Sequence, residues 1–352
     1  MIHRQIKEIP FPDFSQDNVR MPAEWEPHRG TWVSCPHNPR SFSIMLDTAQ
    51  DAFTQMIRAL AEGEMVHINV NDAEMEQKLR ARLRRYGVLK NVTIHHFPTN
   101  DAWCRDHGAI FVKDYTTGEI IATDWIFNAW GGKYPSELDN LIASKMAETL
   151  DCTSYYIPMV LEGGSIDVNG QGLLLTTEQC LLNENRNPYL QRHEIEEILC
   201  AVLGIKKILW LAAGIVGDDT DGHVDDIARF VDTSTIVAVL EEDKKDVNYA
   251  VLHENHERLK RFTDLKGNLF KIVPLPLPDP VVYENSPLPA SYANFYIGND
   301  VVLMPTFKCD QDKKARSILE ELFPTRKIVE IPARDIVIGR GTCHCLTQQI
   351  PC

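Results

Sequence analysis

Four polar clusters contain the residue types from which a reaction centre can be built. The densest is GDDTDGHVDDIARF, residues 217–230. If this stretch is extended, side chains two apart share a face, and Asp221, His223 and Asp225 converge. A histidine among carboxylates can serve as a general acid/base, bind a metal, or sit in a solvated acidic turn. The metal reading is weakened because neither HExxH nor a second histidine at ligand spacing accompanies it. The second cluster is GRGTCHCLTQQIPC, 339–352. Gly339 and Gly341 permit close backbone approach just before Cys345. A thiol there is either a nucleophile kept as thiolate by an imidazole or a buried structural cysteine. Cys343 reads as an apolar filler. The third, NDAWCRDHGAIFV (100–112), sets Asp101, Trp103, Arg105 and Asp106 before an apolar strand. Trp103 beside carboxylates suits a flat organic cation, or else plugs the core next to a surface ion pair. The fourth, LEGGSIDVNGQG (161–172), places Glu162 before a Gly-Gly turn and says little by itself.

Elements must hold these clusters. Val66, Ile68 and Val70 alternate with polar residues, the pattern of a half-buried strand. Upstream, Leu46, Ala49, Phe53, Met56, Ile57 and Leu60 recur at helical spacing, with Gly63 where a C-terminal cap belongs. Downstream, Asn71 and Glu74 read as a capping pair for a helix whose face carries Met75, Leu79, Leu83 and Tyr86. Further helices are expected at 136–149, 189–204, 247–262 and 312–322. Strands are expected near 92–97, 109–113, 155–160, 172–176, 207–211, 227–231, 236–240, 269–274, 301–304 and 335–338. Small groups of strands separated by single helices indicate α/β or α+β architecture. The Pro-rich stretch 274–288 reads as a stiff surface loop.

Composition narrows the function class. The 352 residues suit two domains or one large repetitive domain. With 44% hydrophobic and 24% charged residues the chain is globular rather than disordered. Lys plus Arg number 36 against 50 Asp plus Glu, a formal charge of −14, which argues against nucleic acid or an anionic membrane as partner and attracts cations. The stretch MIHRQIKEIPFPDF lacks the apolar core of a secretory signal, and the longest apolar run, Ile208 to Val216, is too short to span a bilayer. Nine scattered cysteines without a CxxC pair support neither a disulfide framework nor a structural zinc site. A cytoplasmic protein with reduced thiols is expected.

Together the motifs resemble the agmatine deiminases, grouped with the bacterial-type peptidyl-arginine deiminases in the guanidine-modifying superfamily. The resemblance runs through MPAEWEPHRGTWVSCPHNP (21–39), NDAWCRDHGAIFV, FNAWGGKYP (127–135), LEGGSIDVNG, TTEQCLLNENRNP (176–188), GDDTDGHVDDIARF, SYANFYIGN (291–299) and GTCHCLTQQIP. It implies an α+β pentein fold: a five-bladed α/β propeller of ββαβ units around a central channel, with 1–352 as a single catalytic domain. Asp106, Glu162, His223, Asn294 and Cys345 fall about 50 to 70 residues apart, compatible with one from each unit. Carried over by position, Cys345 matches the nucleophile and His223 the acid/base. Asp106 and Asp225 match the carboxylates gripping the guanidinium, and Glu162 the carboxylate supporting the histidine. Trp103, Asp219 and Asn294 are expected on the substrate side. The implied reaction is hydrolytic deimination through a Cys345 S-alkylthiouronium, with no metal and no organic cofactor. The implied partner is a small cationic guanidine, agmatine ahead of peptidyl-arginine, and a homo-oligomer is left open. Trp103, Glu162 and FNAWGGKY favour agmatine, while free arginine would need a cation for its carboxylate, a role open to Arg105 or Arg340. The terminal motif departs from the family at Gly339–Cys343, where Arg340 is read as facing solvent. A metal-dependent amidohydrolase using Asp221, His223 and Asp225, or a non-catalytic polyamine-binding protein, is the reading from another class.

Overall fold

The protein, described by a computed structural model over residues 12–15, 18–88 and 90–352, repeats one ββαβ pattern five times. The expectation about the first residues falls largely outside that range. In the first unit, strands Ile110–Asp114 and Ile120–Ile126 pair antiparallel. Helix Ile142–Leu150 then crosses back to Thr153–Val160, which pairs parallel to the middle strand. The second unit repeats this with Asp167–Val168, Leu173–Thr177, helix Arg192–Leu203 and Lys207–Leu211. The third uses Ala228–Phe230, Thr235–Val239, helix Tyr249–Leu259 and Lys271–Leu275. The fourth uses Tyr296–Ile297, Val301–Thr306, helix Gln311–Leu322 and Lys327–Pro332.

The fifth unit joins the two ends of the chain. Thr347–Pro351 pairs antiparallel with His28–Ser34, and helix Leu46–Leu60 leads to Met65–Val70, parallel to His28–Ser34. The α+β pentein architecture read from the resemblance is therefore present.

The middle strands explain why the pattern holds. Leu173–Thr177 and Thr235–Val239 are buried throughout, so they read as continuous apolar runs rather than alternating ones. Each crossover helix covers one side of its sheet. Leu46–Leu60 buries Ala49, Phe53, Met56, Ile57 and Leu60, each large side chain contributing roughly 1.5–3 kcal/mol of transfer free energy.

Several local expectations change. The strand expected at 335–338 lies instead at Lys327–Pro332, and Val337–Gly339 is a 3-10 turn that buries Val337. Asp72, not Asn71, caps the helix Ala73–Arg85 through Met75 N at 2.8 Å. Asn71 is occupied by the backbone of Thr99. Gly63 has no left-handed cap role: a β-carbon there would lie 2.4 Å from Asp300 Oδ2, so it serves close approach. Within 274–288, residues Val282–Tyr283 and Ser286–Pro287 form a small hairpin, because Glu284 and Asn285 adopt positive φ. Strands His28–Ser34, Ile120–Ile126 and Thr347–Pro351 lie outside the expected set. Among the described residues no helix is long and apolar enough to cross a membrane.

Candidate active site

Each candidate residue sits just ahead of the first strand of its unit. Asp106 lies in the helical turn Cys104–His107, before Ile110. Glu162 immediately precedes the turn Gly163–Ser165, before Asp167, and His223 immediately precedes Val224–Asp226, before Ala228. Asn294 precedes Tyr296 and Cys345 precedes Thr347. The repeated fold thus delivers five entry segments to one place.

Gly164 marks that place. A β-carbon on it would lie 2.6 Å from His223 Nδ1, 2.8 Å from Asp106 Oδ1 and 3.0 Å from Asp225 Oδ2, so three reactive side chains meet where only glycine leaves room. Cys345 Sγ stands 3.6 Å from Asp225 Oδ2. Gly341 clears the thiol in the same way, since a β-carbon would meet Trp103 at 2.6 Å and Cys345 Sγ at 3.0 Å. Asp221 does not join them. It adopts φ of 66°, followed by Gly222 at 91°, so 217–226 is not extended and Asp221 turns outward to Arg186 and Lys133. The three-residue convergence drawn from an extended segment, and the ligand set built on it, are corrected accordingly.

The electrostatics separate similar groups. Asp106 accepts from Trp130 Nε1 and Gly164 N, both at 2.9 Å, yet burial and the neighbouring Asp225 and Glu162 hold its carboxyl well above the usual range. Burial also opposes ionisation of Asp225, but the His344 contact at 2.6 Å outweighs it and lowers its pKa. Burial brings His223 down to about 3, so its imidazole is neutral. Burial, with Asp225, Asp226 and Asp106, keeps the Cys345 thiol well above its ordinary value. Glu162 Oε1 accepts from Arg186 Nε at 2.5 Å. Glu162 Oε2, Asp225 Oδ1 and both His223 ring nitrogens are buried without a partner in the protein. Such atoms carry a substantial desolvation cost unless something binds them.

A supporting network escaped sequence reading. His344 Nε2 contacts Glu24 Oε2 at 2.8 Å while its Nδ1 holds Asp225, and Glu24 is paired with Arg229 at 2.8 Å and Arg105 at 3.1 Å. Burial raises the pKa of Glu24, but Arg229, His344 and Arg105 overcome it and keep it ionised. Arg105 is thereby used up in the interior. Both ends of this chain lay inside quoted motifs, Glu24 in MPAEW and His344 beside Cys345, but nothing local linked positions 320 residues apart.

Asn294, expected on the substrate side, holds the nucleophile loop. Its Oδ1 accepts from Thr342 Oγ1 at 2.7 Å and His344 N at 3.1 Å, and its Nδ2 reaches Cys345 Sγ at 3.1 Å.

Above this floor lies a cavity of about 530 Å3, whose wall includes Asp101, Trp103, Asp106, Trp130, Asp219 and Cys345. Trp130 reaches Asp106 through a strained turn, with Ala129 and Trp130 at φ of 52° and 56°. Asp219 sits at the rim, accepting from Tyr134 OH at 2.7 Å and facing Arg340 Nε at 3.6 Å. Arg340 also donates to Gly217 O at 2.7 Å, so it spans the mouth rather than facing solvent.

The chain is similar to known proteins along nearly its whole length. The model of the Porphyromonas-type peptidyl-arginine deiminases matches residues 20–351. An agmatine deiminase of Ectopseudomonas mendocina (strain ymp) is 38% identical over 359 residues, spanning 95% of this chain and 96% of its own. The structure of agmatine deiminase of Enterococcus faecalis superposes with a TM-score of 0.91 at 35% identity, covering 97% of this chain and 98% of that one. A C. jejuni agmatine deiminase with substrate bound gives 0.85 at 34%, covering 94% and 96%. These matches bear out the resemblance and the enzyme class it implies, a hydrolase of carbon–nitrogen bonds. The chain belongs to the Porphyromonas-type peptidyl-arginine deiminase family.

Proposed function

We propose that the protein hydrolyses agmatine to N-carbamoylputrescine and ammonia through a covalent intermediate on Cys345. The observation that carries this reading is the set of unpartnered buried atoms on Asp225, Glu162 and His223 around the Gly164 cradle. A planar cation with several N–H donors meets the free carboxylate oxygens and holds its carbon toward Cys345 Sγ. Asp106 and Asp225 grip it, Trp103 and Trp130 flank it, and the acidic cavity favours a second cationic end. Residues 1–352 act as one catalytic domain, because the fifth unit needs strands from both ends.

The cation supplies a positive charge facing Asp106, Asp225 and Cys345. Its arrival favours ionised Asp106 and a Cys345 thiolate, both opposed by the surrounding carboxylates beforehand. The thiol proton passes to His223, and the sulfur attacks the guanidinium carbon. His223 returns that proton to the departing nitrogen, which leaves as ammonia, and an S-alkylthiouronium remains. Neutral His223 then takes a proton from water. The resulting hydroxide adds to the carbon, the carbon–sulfur bond breaks as the adduct's hydroxyl proton passes to the sulfur, a neutral urea departs, and His223 releases its proton to solvent. Glu162 steadies the imidazolium formed in each half.

Peptidyl-arginine is the second reading, favoured by the family description alone. Steady-state ammonia release from agmatine, free arginine and a blocked arginine peptide tests both, with and without a chelator. Agmatine-selective turnover that survives chelation is expected. Preference for the peptide would replace the substrate, and agmatine binding without turnover would remove the enzymatic reading.

A further inference from the structure

Cys180 lies against the acid/base pair and has no part in the chemistry above. It sits in the helical turn Glu178–Leu181 and is fully buried. Its Sγ, a carboxylate oxygen of Glu162 and a ring nitrogen of His223 all lie within 4.8 Å of one another. Glu162 Oε2 and both His223 nitrogens lack protein hydrogen-bond partners, so the carboxylate oxygen and the unprotonated ring nitrogen are free to take a ligand. Arg186 closes the outer side, donating to Glu162 Oε1 at 2.5 Å and to Thr220 O at 2.7 Å.

Sulfur, imidazole and carboxylate together are a ligand set for zinc-like ions, which accept three protein ligands and a fourth, open position. Hard cations such as Mg2+ and Ca2+ need more oxygens than this pocket offers. Small side-chain movements bring atoms within 4.8 Å to zinc ligand spacing, with bonds of about 2.0–2.3 Å. The charges also balance, since one thiolate and one carboxylate neutralise a dication. Asp106, which lines the cavity, lies 3.8 Å from His223 Nδ1.

We propose that Glu162, Cys180 and His223 form a binding site for a thiophilic divalent cation of the Zn2+ class, and that its capture switches off deimination by engaging the lone pair of His223. The Cys180 S–H bond gives its proton to solvent as the sulfur–metal bond forms, and no electron is transferred. This proposal rests on His223 being the acid/base. Zinc on Glu162 and His223 leaves Asp106 and Asp225, the carboxylates proposed to grip the guanidinium, in place, so it lowers kcat more than it raises KM.

The test has one arm that needs no activity. Metal-stripped Cys345→Ala protein, which cannot use its nucleophile as a ligand, is titrated with Zn2+ against a chromophoric chelator, beside the Cys345→Ala/Cys180→Ser double variant. Removing Cys180 is expected to weaken binding on the order of 100-fold, comparable with the upper effect of disturbing a metal's supporting shell. In the second arm, Zn2+ inhibits ammonia release by otherwise natural protein, EDTA restores it, and Cys180→Ser resists with its zinc-free kcat and KM unchanged. Cys180→Ala serves where the serine is poorly tolerated, with a melting curve confirming the fold. Equal zinc affinity with and without Cys180 overturns the proposal. Absent turnover would instead strike the deimination reading and leave the chelator titration standing.

Discussion

The floor and the rim of the cavity are built from the same residue types, carboxylates facing Arg, Lys or His, and they behave oppositely. On the floor, Asp106, Asp225, Glu24, His344, Arg105 and Arg229 are all buried. At the rim, Lys133 and Asp221 side chains keep 31% and 21% of their exposure, and Arg340 and Asp219 keep 32% and 24%. Rim pairs are complete and solvated, so each contributes between nothing and about 1 kcal/mol. The floor leaves an oxygen of Asp225 and the ring of His223 without partners, in a medium where that is costly. Burial, more than residue type, turns one acidic cluster into a reaction centre and the other into a gatepost.

The hardest test of that contrast is removal of the reacting groups. Cys345→Ala is expected to abolish turnover, a loss on the order of 10^6-fold in kcat as for other covalent nucleophiles. His223→Ala should cost about 10^2–10^4-fold. Circular dichroism should show both folded, and near-wild-type turnover in either would dissolve the floor as the site of chemistry. Gly164→Ala comes next. It keeps every functional group but drives a methyl into His223, Asp106 and Asp225, so kcat/KM should fall on the order of 100-fold. Unchanged kinetics would mean the three side chains do not act in this arrangement.

These residues were readable because each is a chemistry-bearing type in a dense polar motif. The fivefold repetition was not. The middle strands LLLTT, TIVAV and VVLMPT share apolarity but no residue pattern. First strands such as Asp167–Val168 and Tyr296–Ile297 are two residues long, too short to show periodicity. Thr347–Pro351 was hidden inside a motif read for its cysteine. The run at 335–338 misled because the start of a 3-10 turn buries Ile336 and Val337 as a strand would. Asp221 misled through its backbone: a left-handed residue before Gly222 breaks the alternation that two-residue spacing assumes. The Glu24–His344 contact arises only when the chain ends meet, and no local signal carries that.

Proton linkage sharpens the contrast without mutation. In the free protein the Cys345 thiol is held well above 9.0 by burial and by Asp225, Asp226 and Asp106. Raising pH therefore populates the reactive thiolate, and kcat/KM should climb from neutral pH through 9 without levelling. In the complex the guanidinium offsets those carboxylates, so the alkaline limb of kcat should lie at lower pH. Coincident limbs in the two profiles would mean substrate charge does not help ionise the thiol. Stability should move the other way at acid pH. His223, near 3 when folded and about 6.5 when unfolded, binds its proton first in the unfolded chain. That contribution to stability is present above 6.5 and is lost as pH falls toward 3, and His223→Gln should flatten this part of the acid melting curve.

The smallest expected effect lies at the rim and decides whether it only gates. Lys133 binds Asp221 Oδ1 at 2.8 Å and also reaches the backbone oxygen of Asp219, placing a cation at the entrance used by a cationic substrate. Its loop is fixed independently from below, through Trp130 on Asp106 and Asn128 on Gly131 N, both at 2.9 Å. Lys133→Ala should therefore leave kcat nearly unchanged. At low salt it should lower KM by up to about fivefold, the equivalent of about 1 kcal/mol. The gain should fade toward 1 M salt, where screening acts within about 3 Å. A salt-independent fall in kcat would show instead that the rim pair holds Trp130 against the floor, and the two regions would then be one mechanical unit.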